Sequence, residues 1–437
     1  MRSVILCVLL IVLTPPAALA DDLVIRIDSQ LVGATPIAVV PFDWQAEGPP
    51  PATAVATIIG ADLARTGQFS VLPDEDMIER PSEISDVSFG TWRRLEVDYL
   101  VIGVVTGSEA AGYNLQVRLL NVLTGDSILH LNFPSRVGGL RYTAHHIADT
   151  IYEELIGLPG VFRTRIAYVT SEGVGENQIY SLMVADADGH NPLPVVRSKQ
   201  PLLSPAWSPD GRELAYVSFE KGNSSIWIQE VATGARRRIA DFKGINGAPA
   251  FSPDGDQLAL TLSRTGNPEI YIMDLSSGRL KQLTEHWAID TEPSWHPNGR
   301  KIIFTSDRGG KPQIYEVPVS GNDKPQRVTR KGDYNARSSF SPDGSRMTMV
   351  HGNNNDYRIA VLDTETEFLQ IVSDGRLDES PSFAPNGSML LYASREGNQG
   401  VLSAVPVLGV TSGGQVAHQL IFAQGDIREP AWSPFRQ

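Results

Sequence analysis

His145 and His146 are the one adjacent histidine pair in a chain with eight histidines and a single cysteine, Cys7. A metal site needs side chains that converge on one point. Neighbours on a helix project about 100° apart, so this pair is expected to split, one ring toward the core and one toward water. Nucleophilic and phosphate chemistry have as little to work with. No HExxH zinc motif, no P-loop, no GxSxG elbow and no GxGxxG fingerprint occurs. Adjacent carboxylates such as Asp378-Glu379 read as solvated loop residues. No catalytic residue and no metal site is assigned.

What remains is recognition. Six short segments precede a recurring phrase: Pro201-Leu-Leu-Ser, Ile245-Asn-Gly-Ala, Ile289-Asp-Thr-Glu, Tyr334-Asn-Ala-Arg, Leu377-Asp-Glu-Ser and Asp426-Ile-Arg-Glu. They read as variable and polar. They set Asp290, Glu292, Asp378, Glu379, Asp426 and Glu429 against Arg337 and Arg428. Loops on a rigid scaffold are where binding residues concentrate. An acidic surface of this kind suits a basic peptide, a partner's loop or a Ca²⁺ ion. No other cofactor is expected.

Such loops need a scaffold that repeats as they do. PAWSPDG at 205–211 returns as PAFSPDG (249–255), PSWHPNG (293–299), SSFSPDG (338–344) and PSFAPNG (381–387), and a last PAWSP stands at 430–434. The proline of the turn recurs at 209, 253, 297, 342, 385 and 434, a period near 44 residues. In Ser-Pro-Asp-Gly, Pro presets φ, Asp bonds its own backbone and Gly takes positive φ. The phrase is therefore a hairpin turn, and Asp210, Asp254 and Asp343 are turn residues. Four strand signals follow one another in each repeat, as in 206–208, 214–218, 225–231 and 237–240. This predicts a six-bladed β-propeller. The strand-like run 166–170 has no phrase ahead of it, and the last PAWSP has no strand behind it. The C-terminal strand is thus expected to complete the blade begun at residue 166 and close the ring. Closure removes exposed sheet edges, and its long-range pairing slows folding. The polar loops then line one mouth of the central channel, where the Ca²⁺ would sit.

Residues 34–158 read as a small N-terminal α/β domain. Strands are predicted over 36–42, 69–72, 98–106, 113–122 and 128–133, with helices over 54–66, 91–96 and 139–156. A linker over 159–165 leads into the propeller, 166–437. Residues 1–20 combine Arg2, an apolar run from Val4 to Leu13 and small residues Ala18 and Ala20, which predicts a secretory signal peptide cleaved between Ala20 and Asp21. The run is shorter than the ~20 residues that span a bilayer. Cys7 would leave with it, and the mature chain would carry no thiol. Residues 21–33 are read as a mobile N-terminal segment. The formal charge of −13 argues against nucleic acid and against an anionic membrane surface as partners.

In this order of parts the chain resembles the TolB family, the periplasmic propeller proteins of the Tol-Pal envelope system. The resemblance is carried by DDLVIRIDSQ (21–30), PIAVVPFDW (36–44), FRTRIAYV (162–169), PLLSPAWSPDGRELAYVSFE (201–220), NGAPAFSPDG (246–255) and the terminal PAWSP. It implies a non-enzymatic protein that acts at the outer membrane during cell division. Its propeller mouth would bind the lipoprotein Pal, through Ile245, Asn246, Ala248, Asp290, Thr291, Glu292, Asp378, Glu379 and Glu429. Its N-terminal segment, Asp22, Leu23, Val24, Ile25, Arg26, Ile27 and Asp28, would bind the C-terminal domain of TolA. Capture of the channel by bacteriocins is a further implication. Ile245 departs from the family, whose best-known members have a histidine there. The segment 22–28 alternates apolar and charged residues, a pattern that adds as a strand to a partner's sheet or docks as an edge strand on its own domain. The alternative reading is a propeller-containing periplasmic hydrolase or peptide-binding protein.

Overall fold

The structure, a computed structural model, describes residues 33–321, 323–353, 356–397, 399–407, 418–420 and 425–436. The expected signal peptide and, except for Gly33, the segment 21–33 lie outside the described residues. The N-terminal domain has strands β1 (Thr35–Val39), β2 (Asp43–Trp44), β3 (Phe69–Val71), β4 (Tyr99–Ser108), β5 (Gly112–Asn121) and β6 (Ser127–Ser135), with helices α1 (Val55–Arg65), α2 (Phe89–Arg94) and α3 (Leu140–Ile156). They form one sheet in the order β3-β1-β4-β5-β6, with the short β2 beside β4. The β3-β1-β4 pairs are parallel, because helical crossovers join them, and β4-β5-β6 is an antiparallel meander. Side chains alternate between the two faces. Ile37, Val39 and Val101 pack under Ile59 and Leu63 of α1 and Ile147 and Ile151 of α3. Ala38, Val40, Leu100 and Ile102 pack on the opposite face against Trp92 of α2.

The propeller consists of six four-stranded antiparallel sheets. Their first strands are Leu202–Trp207 (blade 1), Asn246–Phe251 (blade 2), Asp290–Trp295 (blade 3), Tyr334–Phe340 (blade 4), Glu379–Phe383 (blade 5) and Asp426–Trp432 (blade 6). Blade 6 takes its first strand from the C-terminus and its other strands from residues 165–198, with Ile427 opposite Thr170 and Trp432 opposite Ile166. Two bonds fasten the seam: Trp432 Nε1 donates to Thr164 Oγ1 at 2.8 Å, and the Arg165 amide donates to Ser433 Oγ at 2.9 Å. The ring also closes at its turns. Gly211 has a φ of 69°, and a Cβ there would lie 3.4 Å from Pro434 Cγ. The proline of the last PAWSP thus seats on the glycine of the first SPDG. In each SPDG turn the serine donates to the aspartate, at 2.6 Å for Ser208–Asp210, 2.5 Å for Ser252–Asp254 and 2.5 Å for Ser341–Asp343.

The two domains share a core. Val161 and Phe162 of the connector are buried together with Ile147, Ile151 and Tyr152 of α3 and with Met389, Leu391, Leu402 and Trp432 of blades 5 and 6. The connector is therefore packed rather than free. The contact lies at the end of the propeller that carries the hairpin turns: Asn386, in the turn after the first strand of blade 5, donates to the Pro159 carbonyl at 2.8 Å. A buried polar cluster completes the joint. His145 Nδ1 meets Asp62 Oδ2 at 2.5 Å, and Arg141 and His145 of α3 face Asp188 in a turn of blade 6. Asp149 accepts from the Phe162 amide at 2.8 Å and from Arg163 Nε at 2.7 Å. The adjacent histidines split as the helical geometry requires. His145 enters this cluster, while His146 stands edge-on to Phe133 with centroids 5.1 Å apart.

Candidate functional site

The described residues of the N-terminal domain lie at the turn end of the propeller, and the shape of the opposite mouth comes from a repeated backbone feature. Every first strand slips register near its middle: between Leu203 and Ala206, Gly247 and Ala250, Thr291 and Ser294, Ala336 and Ser339, Glu379 and Ser382, and Arg428 and Ala431. At each slip one non-glycine residue has positive φ: Ser204 (50°), Ala248 (47°), Glu292 (56°), Arg337 (53°), Ser380 (56°) and Glu429 (56°). Such residues are uncommon, and each costs of order 1–3 kcal/mol. Five of the six precede a proline, which has no N–H to lose from the ladder and is at home in a bulge. The bulges turn all six side chains into the channel, where they line a space of about 190 Å³. The first proline of PAWSP is the sequence signal for this ring.

Arg337 is the centre of the ring. Its Nη2 lies 2.6 Å from Glu429 Oε2, its Nε 3.3 Å from Glu292 Oε1, and its Nη1 2.5 Å from Ser380 Oγ. The Ser204 amide donates to Glu429 Oε2 at 3.0 Å, and the Arg337 amide and Thr305 hydroxyl donate to Glu292 Oε2 at 3.0 and 2.8 Å. Burial works against the Arg337 charge, but Glu429 and Glu292 outweigh it and hold its pKa above the ordinary arginine value. Burial likewise works to raise Glu429, and Arg337 overrides it, so that carboxyl stays below its usual range. Two carboxylates and one guanidinium leave the ring with one net negative charge. Among the described residues no three His, Cys, Asp or Glu side chains converge as metal ligands, and a guanidinium already occupies the space between the two channel carboxylates. This geometry does not suit Ca²⁺, which takes six to eight oxygen ligands.

The residues expected at the mouth fall into tiers. Ala248, Glu292 and Glu429 are ring residues inside the channel. Asn246, Asp290 and Asp378 are buried, and the first two act as loop anchors through the bonds that follow. Asn246 accepts from the Phe242 amide at 2.9 Å and donates to the Phe242 and Ser224 carbonyls at 2.8 and 3.0 Å. Asp290 Oδ2 meets Arg308 Nη2 at 2.6 Å. Asp378 lies against Gly375, and burial pushes its carboxyl up. Thr291 and Glu379 are half-buried between these anchors and the ring. Ile245 is exposed at the rim, and so are Ile289 and Leu377 at the equivalent position of blades 3 and 5. The sequence reading of a polar, acidic mouth is corrected here. Two of its acids are buried, two are paired with Arg337, Asp426 is paired with Arg428 at 2.8 Å, and the outermost position is largely apolar. The TolA segment, Asp22 to Asp28, lies outside the described residues.

Comparisons with known proteins cover both domains. Residues 23–128 match the family described as the TolB amino-terminal domain, and residues 152–436 match the TolB beta propeller domain. A Tol-Pal system protein TolB of Xanthomonas oryzae pv. oryzae is 56% identical over 437 residues, covering 99% of this chain and 98% of that protein. One from Xanthomonas campestris pv. campestris is 55% identical with the same coverage. The crystal structure of TolB from Acinetobacter baumannii is 40% identical, superposes with a TM-score of 0.83, and covers 92% of this chain and 97% of that one.

Proposed function

The chain belongs to the TolB family, and from that premise we propose that its propeller mouth seats the lipoprotein Pal while its N-terminal segment engages TolA. It is a non-enzymatic component of the Tol-Pal system. The observation that supports a docking role is the ring of six bulged residues, a preorganised polar floor at the end of the propeller away from the described residues of the N-terminal domain. In this reading Ile245, Ala248, Thr291, Glu292, Glu379 and Glu429 face Pal, Asn246 and Asp290 hold their loops in place, and Asp378 is buried beneath its loop. Residues 21–33, freed by cleavage after Ala20, pair with TolA in the periplasm. Pal at the mouth would shift whether that segment is docked or free, making the protein a relay that supports outer-membrane constriction in division.

Among the described residues no helix is long and apolar enough to cross a membrane. The shared core between α3 and blades 5 and 6 offers a route for coupling the two ends. Calorimetry of 21–437 and 34–437 with a soluble Pal domain, and of 21–437 with TolA in the presence and absence of Pal, tests the relay. Reciprocal changes in affinity are expected. Equal affinities in both comparisons would refute coupling.

A further inference from the structure

The seam between blades 3 and 4 shows how a buried polar slot is satisfied by neutral groups. Gln313 opens the third strand of blade 3, Asn335 lies in the first strand of blade 4, and both are buried. The Asn335 amide donates to the Pro312 carbonyl at 2.9 Å, which sets its side chain beside Gln313. Asn335 Nδ2 then donates to Gln313 Oε1 at 2.9 Å, and the Thr329 hydroxyl donates to the same oxygen at 2.8 Å. Two side-chain amides supply both the donor and the acceptor that the slot needs.

The seam between blades 2 and 3 has the same backbone and different chemistry. Glu269 opens the third strand of blade 2 and Asp290 the first strand of blade 3, and they are 2% and 0% exposed. The Asp290 amide donates to the Pro268 carbonyl at 3.0 Å, as Asn335 does to Pro312. The Thr284 hydroxyl donates to Glu269 Oε2 at 2.7 Å, in the role of Thr329. The slot therefore sets one carboxyl against another. Glu269 Oε1 accepts from the His286 amide at 2.7 Å and from Asn267 Nδ2 at 3.4 Å. Asp290 Oδ2 is taken by Arg308, while Asp290 Oδ1 is buried with no hydrogen-bond partner. That oxygen is the counterpart of Asn335 Nδ2, the atom that donates across the other seam.

Two carboxylates against the one guanidinium of Arg308 would leave a buried slot with an uncompensated negative charge, which burial disfavours. One proton removes that charge and supplies the missing donor. The other groups around the pair do not replace it. Leu262 of blade 2 stands opposite Glu269 and Ser306 of blade 3 opposite Asp290. Asp307 accepts from the Ile289 amide, and the His286 ring accepts at Nδ1 from the Ala288 amide. Burial first, and the Asp290 charge with it, push the Glu269 carboxyl above its ordinary value of 4.5. We infer that Glu269 and Asp290 share one proton and form a pH-sensitive latch between blades 2 and 3. While the proton is held, the carboxyl pair joins the blades as the Gln313 and Asn335 amides do, and Glu269 ties down the loop 284–288 through Thr284 and His286. Loss of the proton to solvent sets two like charges side by side and loosens that loop. The latch acts within the ring and needs no partner.

The test is urea unfolding of residues 21–437 from about pH 4 to about pH 8, comparing the parent chain with Glu269→Gln, which copies Gln313 and cannot titrate. A carboxyl whose folded value is raised stabilises the fold below its unfolded value, and that contribution fades as pH climbs to the folded value. Relative to Glu269→Gln, the parent should therefore lose stability as pH rises above 4.5, by about tenfold in the unfolding constant for each pH unit over which the proton is kept. The two curves should then run parallel. Hydrogen exchange reads the latch locally. Past that transition the peptide 284–290 should exchange faster in the parent than in Glu269→Gln at the same pH, while 328–335 at the neighbouring seam should not differ. Infrared spectra give a reading that does not need Glu269→Gln to fold: a protonated-carboxyl band should persist in the parent above pH 4.5 and be smaller in Asp290→Asn. Unfolding curves that stay parallel throughout, or a parent that gains on Glu269→Gln as pH rises, overturn the shared proton, and so do equal carboxyl bands. Equal exchange of 284–290 in parent and variant past the transition overturns the latch.

Discussion

Replacing Arg337 with methionine would keep the apolar stem and remove the fork that joins Glu292, Ser380 and Glu429. Charge-assisted hydrogen bonds are worth about 1.5–3 kcal/mol, and breaking a buried pair costs about 3–5 kcal/mol because the partner is left uncompensated. The ring is partly open to solvent, however. Arg337 and Glu292 keep 26% and 27% of their side-chain surface exposed, so water recovers part of the loss. About 2 kcal/mol at neutral pH is expected, or about 2–4 °C in Tm. The pH dependence is the sharper signature. Glu429 is held below its ordinary value of 4.5 by Arg337, so its contribution is complete above that value and is lost as pH falls through the lower folded value. The difference between parent and variant should therefore shrink on acidification, as the orphaned carboxylates of the variant take up protons. Urea unfolding followed by tryptophan fluorescence at pH 7 and pH 4 measures it. A loss under about 0.5 kcal/mol, or one that does not change with pH, would refute the claim that Arg337 holds the ring together.

Other expectations follow from the same contacts. Trp432→Ala removes the indole that bonds Thr164 and fills the shared core, and should cost about 3–5 kcal/mol in denaturant unfolding. Asp149→Ala strips the Phe162 amide and Arg163 of their acceptor and should cost about 1–3 kcal/mol, seen as a lower Tm. Asp210→Asn keeps an acceptor for Ser208 and should cost under about 1 kcal/mol while leaving Pal binding unchanged in calorimetry. His146, His296 and His351 are pushed below the ordinary value of 6.5, in each case first by burial. The folded state thus resists their protonation, and thermal melts should show stability falling as pH drops from about 7 to about 5. A rise over that range would contradict the sign.

The repeat was legible because turn chemistry is local. Ser-Pro-Asp-Gly dictates a hairpin wherever it occurs, and its spacing pointed to six blades and to the closing role of the C-terminal strand. The α/β domain was legible from period-two and period-3.6 patterns, while the two-residue β2 is too short to carry either. The mouth was harder to read. Asp290 and Asp378 look like surface acids in a polar loop, yet they turn back under it, because the bulge at the next-but-one residue reverses which side chains face the channel. Glu292, Arg337 and Glu429 lie far apart in sequence, and only ring closure brings them together. The apolar character of Ile245, Ile289 and Leu377 was visible in the aligned loops but was outweighed by the acids beside them.

The central claim is that a protein partner occupies the mouth. It is tested most directly by a steric block. A Cβ on Gly247 would meet only Ile245 Cγ2, at 3.7 Å, so Gly247→Arg can project from the rim without strain. Thr233→Arg adds the same side chain to a turn at the opposite end. Calorimetric titration of both variants of residues 21–437 with soluble Pal domain should show binding abolished by Gly247→Arg and retained by Thr233→Arg. Parent-like binding by Gly247→Arg, or its loss in Thr233→Arg alone, would contradict the account.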